Sequence, residues 1–184
     1  MKKVFIVHGL EGSPNGGWRP WLMGELEKHD IYACALSMPG DENPLCEEWI
    51  EEIARHVERS KNDEIYLVGH SLGVPAILRF LEKTEVKISG VVLVSGPYEM
   101  TDNEKVNRFM EGGFDFENIK KKAGKFVVIH GDKDDIVPFG DAEILTKELR
   151  AELIVIPGGR HLNGGSGCFS LPQCLDALLK MMQI

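Results

Sequence analysis

Short apolar runs alternate along the chain with segments whose apolar residues recur at helical spacing. Lys3–His8, Ile31–Leu36, Glu64–Val68, Ile88–Ser95, Phe126–His130 and Leu153–Ile156 are the runs, of the kind buried on both faces of a parallel sheet. Between them lie helical stripes. Trp18, Trp21, Leu22 and Leu26 form the first, and Trp49, Ile50, Ile53, Ala54 and Val57 the second, after Asn43-Pro44. Val74, Ala76, Ile77, Phe80 and Leu81 follow the third run, and Leu145 and Leu149 the fifth. The last helix is predicted to start near Ser170, with Gln173 placed for a capping box and Leu175, Leu178, Leu179 and Met182 buried. Residues 97–124 break the pattern. They mix charge with Tyr98, Phe109, Phe114 and Phe116, which suits either a small lid over a substrate or irregular packing above the sheet edge. Strands alternating with helices predict βαβ units, hence an α/β fold with a doubly wound, mainly parallel six-stranded sheet flanked by helices. With no repeat or linker, residues 1–184 read as one domain.

In such sheets, ligands bind beyond the carboxyl ends of the strands, near the point where strand order reverses. The segments following the predicted strands carry the candidate chemistry. His8-Gly9-Leu10-Glu11-Gly12 follows the first, Gly69-His70-Ser71-Leu72-Gly73 the third, Asp132, Asp134 and Asp135 the fifth, and Gly158-Gly159-Arg160-His161 the sixth. Gly-x-Ser-x-Gly between a strand and a helix is the setting of a nucleophile elbow. A sharp turn there exposes the serine, and side chains at Gly69 or Gly73 would collide across it. A serine hydroxyl needs a base. His29 and His56 read as surface residues, and His8 and His130 as core or loop residues. His70 is expected to turn away from the working face of Ser71. His161, on a late loop expected to be exposed enough to reach across the sheet edge, is the candidate base. Any of the three aspartates could orient it.

Taken together, these motifs resemble the α/β-hydrolase superfamily. The resemblance rests on His8-Gly9, the Ser71 elbow, Gly131-x-x-Asp134-x-x-Val137-Pro138 and the late His161, and it spans nearly the whole chain. The short chain without an inserted cap, Trp18 and Trp21 after the glycine loop, and Pro39-Gly40 after the second strand narrow it to compact serine hydrolases of the retinoblastoma-binding protein 9 and YdeN type. The resemblance implies a triad of Ser71, Asp134 and His161, with Asp135 the second choice of acid and Asp132 a turn cap or solvent-facing. It implies an oxyanion hole from the backbone amides of Leu72 and Leu10, with Gly9 or Glu11 as alternatives to Leu10. The expected activity is hydrolysis of small ester-type acyl substrates. Thioesterase or amidase chemistry on the same residues, or a binding protein without turnover, are the alternatives.

Composition narrows the partners. A net charge of −8 over 184 residues disfavours nucleic acid and anionic membranes, and Lys120, Lys121 and Lys122 make only a short basic run. No apolar stretch approaches the roughly 20 residues a membrane helix needs, and the N-terminus lacks a signal-peptide pattern. Cys34, Cys46, Cys168 and Cys174 have no metal or redox spacing and read as reduced thiols of a cytoplasmic protein. Gly16-Gly17 and Gly164-Gly165 lack the Lys-Ser/Thr of a phosphate loop and read as flexible loops. No cofactor or metal is expected; the expected partner is a small acyl substrate, and a protein partner is left open.

Overall fold

The computed structural model describes every residue except Asp41. The six apolar runs are strands β1 (Lys2–Val7), β2 (Tyr32–Ala35), β3 (Glu64–His70), β4 (Gly90–Val94), β5 (Phe126–Gly131) and β6 (Glu152–Ile156). They pair in parallel in the order β2-β1-β3-β4-β5-β6. Val7 sits beside Gly69, His70 beside Val94, and Gly131 beside Ile156, so the carboxyl ends form one edge. Strand order reverses between β1 and β3, which places the first glycine loop and the Ser71 turn at the switch point.

Alternation along each strand divides the apolar residues between two cores. Phe5, Val7 and Leu67 face a layer made by α2 (Cys46–Arg59), α3 (Gly73–Lys83), α5 (Phe116–Lys122) and α6 (Phe139–Leu149). Val4, Ile6 and Val68 face the opposite layer, α1 (Arg19–Glu27) and α7 (Pro172–Met182). Each fully buried aliphatic side chain contributes about 1.5–3 kcal/mol, so neither layer can be lost without exposing a face of the sheet. The four cysteines are free thiols. Among the described residues no helix is long and apolar enough to cross a membrane.

Two expectations need revising. Pro172 occupies the first helical position of α7 behind an uncapped Leu171, so Gln173 comes one position too early to close a capping box. A capping box forms instead between Asn163 and Ser166, around the single 3-10 turn Gly164–Ser166. Residues 97–124 contain two short helices, α4 (Glu104–Asn107) and α5, pinned from both ends. Buried Asp141 accepts from the amides of Tyr98 at 2.8 Å and Glu99 at 3.3 Å. Arg79 on α3 donates to the carbonyls of Phe109 at 2.8 Å and Glu111 at 2.7 Å, and its guanidinium lies 4.2 Å from the Phe114 ring centroid. The aromatics pack rather than form a lid. Phe109 sits 5.4 Å from Trp49, and Tyr98, Phe114 and Phe116 stack on one another at 5.8–6.5 Å.

Arg79→Ala removes two charge-assisted bonds that hold this segment. It should lower unfolding free energy by about 2–3 kcal/mol, read from the denaturation midpoint at unchanged slope.

Candidate active site

The turn between β3 and α3 leaves no space for side chains at its glycines. A Cβ on Gly69 would stand 2.8 Å from the Gly73 carbonyl oxygen, and one on Gly73 would stand 2.3 Å from that of Val7 and 2.9 Å from that of His8. Backbone crowding of this kind cannot be relieved by a rotamer change. The helix therefore starts directly against β1, and Ser71 is forced into a left-handed conformation at φ +52°. For a non-glycine residue this costs about 1–3 kcal/mol and needs support from its surroundings. That support is a bond from the Ser71 amide to the Val94 carbonyl and one from the Val74 amide to the Ser71 carbonyl, both 2.9 Å.

The loop after β6 brings His161 to this turn, and the loop after β5 supplies its acid. His161 Nδ1 donates to Asp134 Oδ2 at 2.9 Å and also lies 3.1 Å from Oδ1, with the Asp134 side chain fully buried. Burial pushes the Asp134 carboxyl up, but the His161 ring and the amides of Val137 and Ile136 outweigh it and hold it below the usual carboxylate range. A carboxylate on Nδ1 leaves Nε2 as the nitrogen available to take a proton. The neighbouring aspartates face elsewhere. Asp135 pairs with Arg160 at the surface, and Asp132 accepts from the Gly158 amide at 2.6 Å.

His161 differs from the exposed loop residue expected, being only 4% exposed. The ring of His70 packs 5.1 Å from that of His161 and has a role that was not foreseen. His70 Nε2 donates to the His161 carbonyl at 3.0 Å, and Trp18 Nε1 donates to the next carbonyl, Leu162, at 2.8 Å. Nothing in the linear pattern signals these tethers, because donor and acceptor are far apart in the chain.

Ser71 and His161 share a cavity of about 720 Å³ with Leu10, Val106, Ile136 and Val137. The wall contributed by residues 101–108 is largely polar, so the chain segment expected as a substrate wall is present without its aromatics facing the site. The Ser71 hydroxyl and His161 ring make no hydrogen bond among the described residues; such bonds are often long before substrate arrives and tighten in the Michaelis complex. The first loop lies close by, since a Cβ on Gly9 would stand 2.9 Å from Ser71 Cβ. The amides of Leu10 and Leu72 donate to no protein acceptor among the described residues, and Leu10 lines the cavity. Gly9 and Glu11 amides are equally unengaged, so hydrogen bonding alone does not select among the three. Among the described residues no group of three or more His, Cys, Asp and Glu is placed to hold a metal ion.

The model of the family described as serine hydrolase matches residues 4–180. The chain belongs to this family. It is 34% identical over 180 residues to YdeN of Bacillus subtilis (strain 168), which is named as a hydrolase, covering 96% of this chain and 94% of that protein. The crystal structure of the B. subtilis ydeN gene product superposes with a TM-score of 0.94 over the whole of both chains at 33% identity. Est1E from Butyrivibrio proteoclasticus shares the fold at a TM-score of 0.77 and 17% identity, over all of this chain and 89% of its own. The fold is that of the α/β hydrolases.

Burial first, then the neighbouring His161 ring, push the His70 imidazole down to about 3, so it is neutral when folded. Unfolded, it takes a proton near pH 6.5, so the unfolded chain binds more protons between these values. Stability should therefore fall as pH drops from about 6.5 toward 3, with Asp134 adding a loss below about pH 4. His70→Gln keeps a donor at the same position and should flatten the first window by up to about 1.4 kcal/mol per pH unit in urea titrations. An unchanged slope would show that His70 does not titrate on unfolding.

Proposed function

We propose that the protein hydrolyses small ester-type acyl substrates through Ser71, His161 and Asp134. The observation that carries this reading is a buried Asp134–His161 pair sharing a cavity with a serine held at φ +52° on a glycine-flanked turn. His161 Nε2 takes the Ser71 proton as Oγ attacks the ester carbonyl, and Asp134 stabilises the imidazolium that forms. The Leu72 amide and an amide of the first loop, Leu10 in our assignment, receive the oxyanion. His161 then protonates the departing alcohol and leaves an acyl-serine. Water, deprotonated by the same ring, attacks the acyl carbon, and the proton returns to Ser71 as the carboxylic acid is released. A cavity of about 720 Å³ suits a small-molecule substrate.

A fluorophosphonate probe should label the protein at Ser71, and Ser71→Ala should abolish both labelling and ester turnover. Asp134→Asn leaves the wrong His161 tautomer and should lower kcat about 10³–10⁴-fold. Asp135→Asn removes only a surface ion pair and should change kcat by less than about twofold. Failure of Ser71 to label while a control hydrolase reacts would leave a binding protein as the better reading. A larger loss from Asp135→Asn than from Asp134→Asn would overturn the assignment of the acid.

A further inference from the structure

A second, smaller cavity of about 260 Å³ meets the first at Leu10, Ser71, His161 and Asn163. Its walls include the two glycine pairs that the sequence left as plain loops. Gly16-Gly17 and Gly164-Gly165 come together here, with a Cβ on Gly17 standing 3.2 Å from the Gly164 amide nitrogen. Arg19 lines the same cavity.

Arg19 is an unusual residue to bury. It is 5% exposed, and its one hydrogen bond runs from Nε to the Ser13 carbonyl at 2.8 Å. Neither Nη amine meets an acceptor, and no carboxylate lies within ion-pair distance, among the described residues. Glu11 lines the same cavity but is exposed to water and makes no ion pair with Arg19. Arg19 is also the first residue of α1, a helix with no acidic residue in its first turn. The positive end of the helix dipole therefore opposes the guanidinium rather than offsetting it. Burial without a counter-charge pulls the guanidinium below its usual range.

Glycine at position 16 is matched to this arrangement. A Cβ there would stand 2.6 Å from Arg19 Nη2. Gly16 therefore lies directly against the guanidinium, and both residues line the cavity. A planar fork with both amines free is suited to a carboxylate or phosphate taken bidentately. An anion seated there would satisfy the amines, neutralise the buried charge and meet the helix N-terminus favourably.

We infer that Arg19 and the loops around it form an anion subsite, and that the preferred substrate is an ester carrying a carboxylate or phosphate a few atoms from its scissile carbonyl. This deepens the proposed hydrolase reading and rests on it for the identity of the reaction, not for the binding of the anion. Net charge of −8 across the chain would not draw in such a substrate, so its recognition is local to Arg19.

Two matched ester pairs test the subsite under pH-stat assay. Monomethyl glutarate against methyl valerate places the anion on the acyl side, and O-acetylglycolate against 2-methoxyethyl acetate places it on the alcohol side. The anionic member of at least one pair should be favoured roughly tenfold or more in kcat/KM, as expected for a charge-assisted bidentate contact. Arg19→Met should bring that ratio near one, and Arg19→Lys, which keeps charge but loses the fork, should retain part of it. Arg19→Gln serves as the neutral variant if the methionine form does not fold, as judged by circular dichroism. Calorimetric binding of glutarate and of inorganic phosphate to the Ser71→Ala protein provides a readout independent of turnover. Binding of either anion should disappear in Ser71→Ala/Arg19→Met or its glutamine counterpart, and the anion that binds more tightly identifies the source. No ester turnover with Arg19-dependent anion binding would remove the hydrolase reading and leave the subsite standing. Turnover without preference in either pair, a preference that survives the neutral variants, or no Arg19-dependent binding would overturn the subsite.

Discussion

Everything at the carboxyl edge depends on one backbone contact, that of Gly73 with the Val7 and His8 carbonyls. With a Cβ position 2.3 Å from the Val7 oxygen, the start of α3 and the end of β1 approach as closely as the backbone allows. This approach turns the chain back at Ser71 and fixes the serine in its left-handed conformation. It also sets the first glycine loop beside the serine, since that loop begins where β1 is held. The contact is backbone on backbone, so rotamer changes cannot soften it, and the strain at Ser71 persists because both flanking elements belong to buried layers.

The second requirement is electrostatic. His161 sits on a loop, yet its position is set from three directions: Asp134 binds its ring, His70 binds its carbonyl, and Trp18 binds the carbonyl of Leu162. Each of these three residues comes from a different part of the chain, and each side chain is buried or nearly so. In a low-dielectric interior, such bonds are strong when complete and costly when broken. A neutral His70 suits this place, because a charged ring there would face both the His161 ring and the buried Arg19. The loop is therefore tied to buried side chains although it has little regular structure.

How much of this could be read from the sequence follows from the range of the interactions. Strand runs and helical stripes are local patterns, so all six strands were legible to within a residue or two and the main helices by their apolar stripes. The Ser71 turn was legible because motif spacing encodes a local turn, whereas the residues alone left three aspartates open and only the family resemblance pointed to Asp134. What failed depended on chain geometry. The α7 cap was misplaced because Pro172 shifted the helix start, and the burial of His161 was missed because His70 lies 91 positions away in sequence. Gly16-Gly17 and Gly164-Gly165 looked unremarkable apart and acquire a role only where the fold joins them. Arg19 carried no signal at all; in a helix beginning Arg-Pro-Trp it reads as a surface charge.

The two cavities give the site a shape that a single pocket would lack. Both include Leu10, Ser71, His161 and Asn163, and they diverge from there. An ester has the same topology, with one carbonyl carbon and two arms leaving it. On the proposed chemistry, the carbonyl must stand where Ser71, His161 and the Leu10 amide meet, so its arms fall into different surroundings. The larger space combines Val106, Ile136 and Val137 with a polar wall, and the smaller one ends in a buried cation. An unpaired guanidinium discriminates more sharply than an apolar wall, because only a substrate with a matching anion gives its free amines an ionic partner in place of water. Specificity in this protein is therefore expected to be decided in the smaller cavity, and the larger one to tolerate variation in the arm it receives.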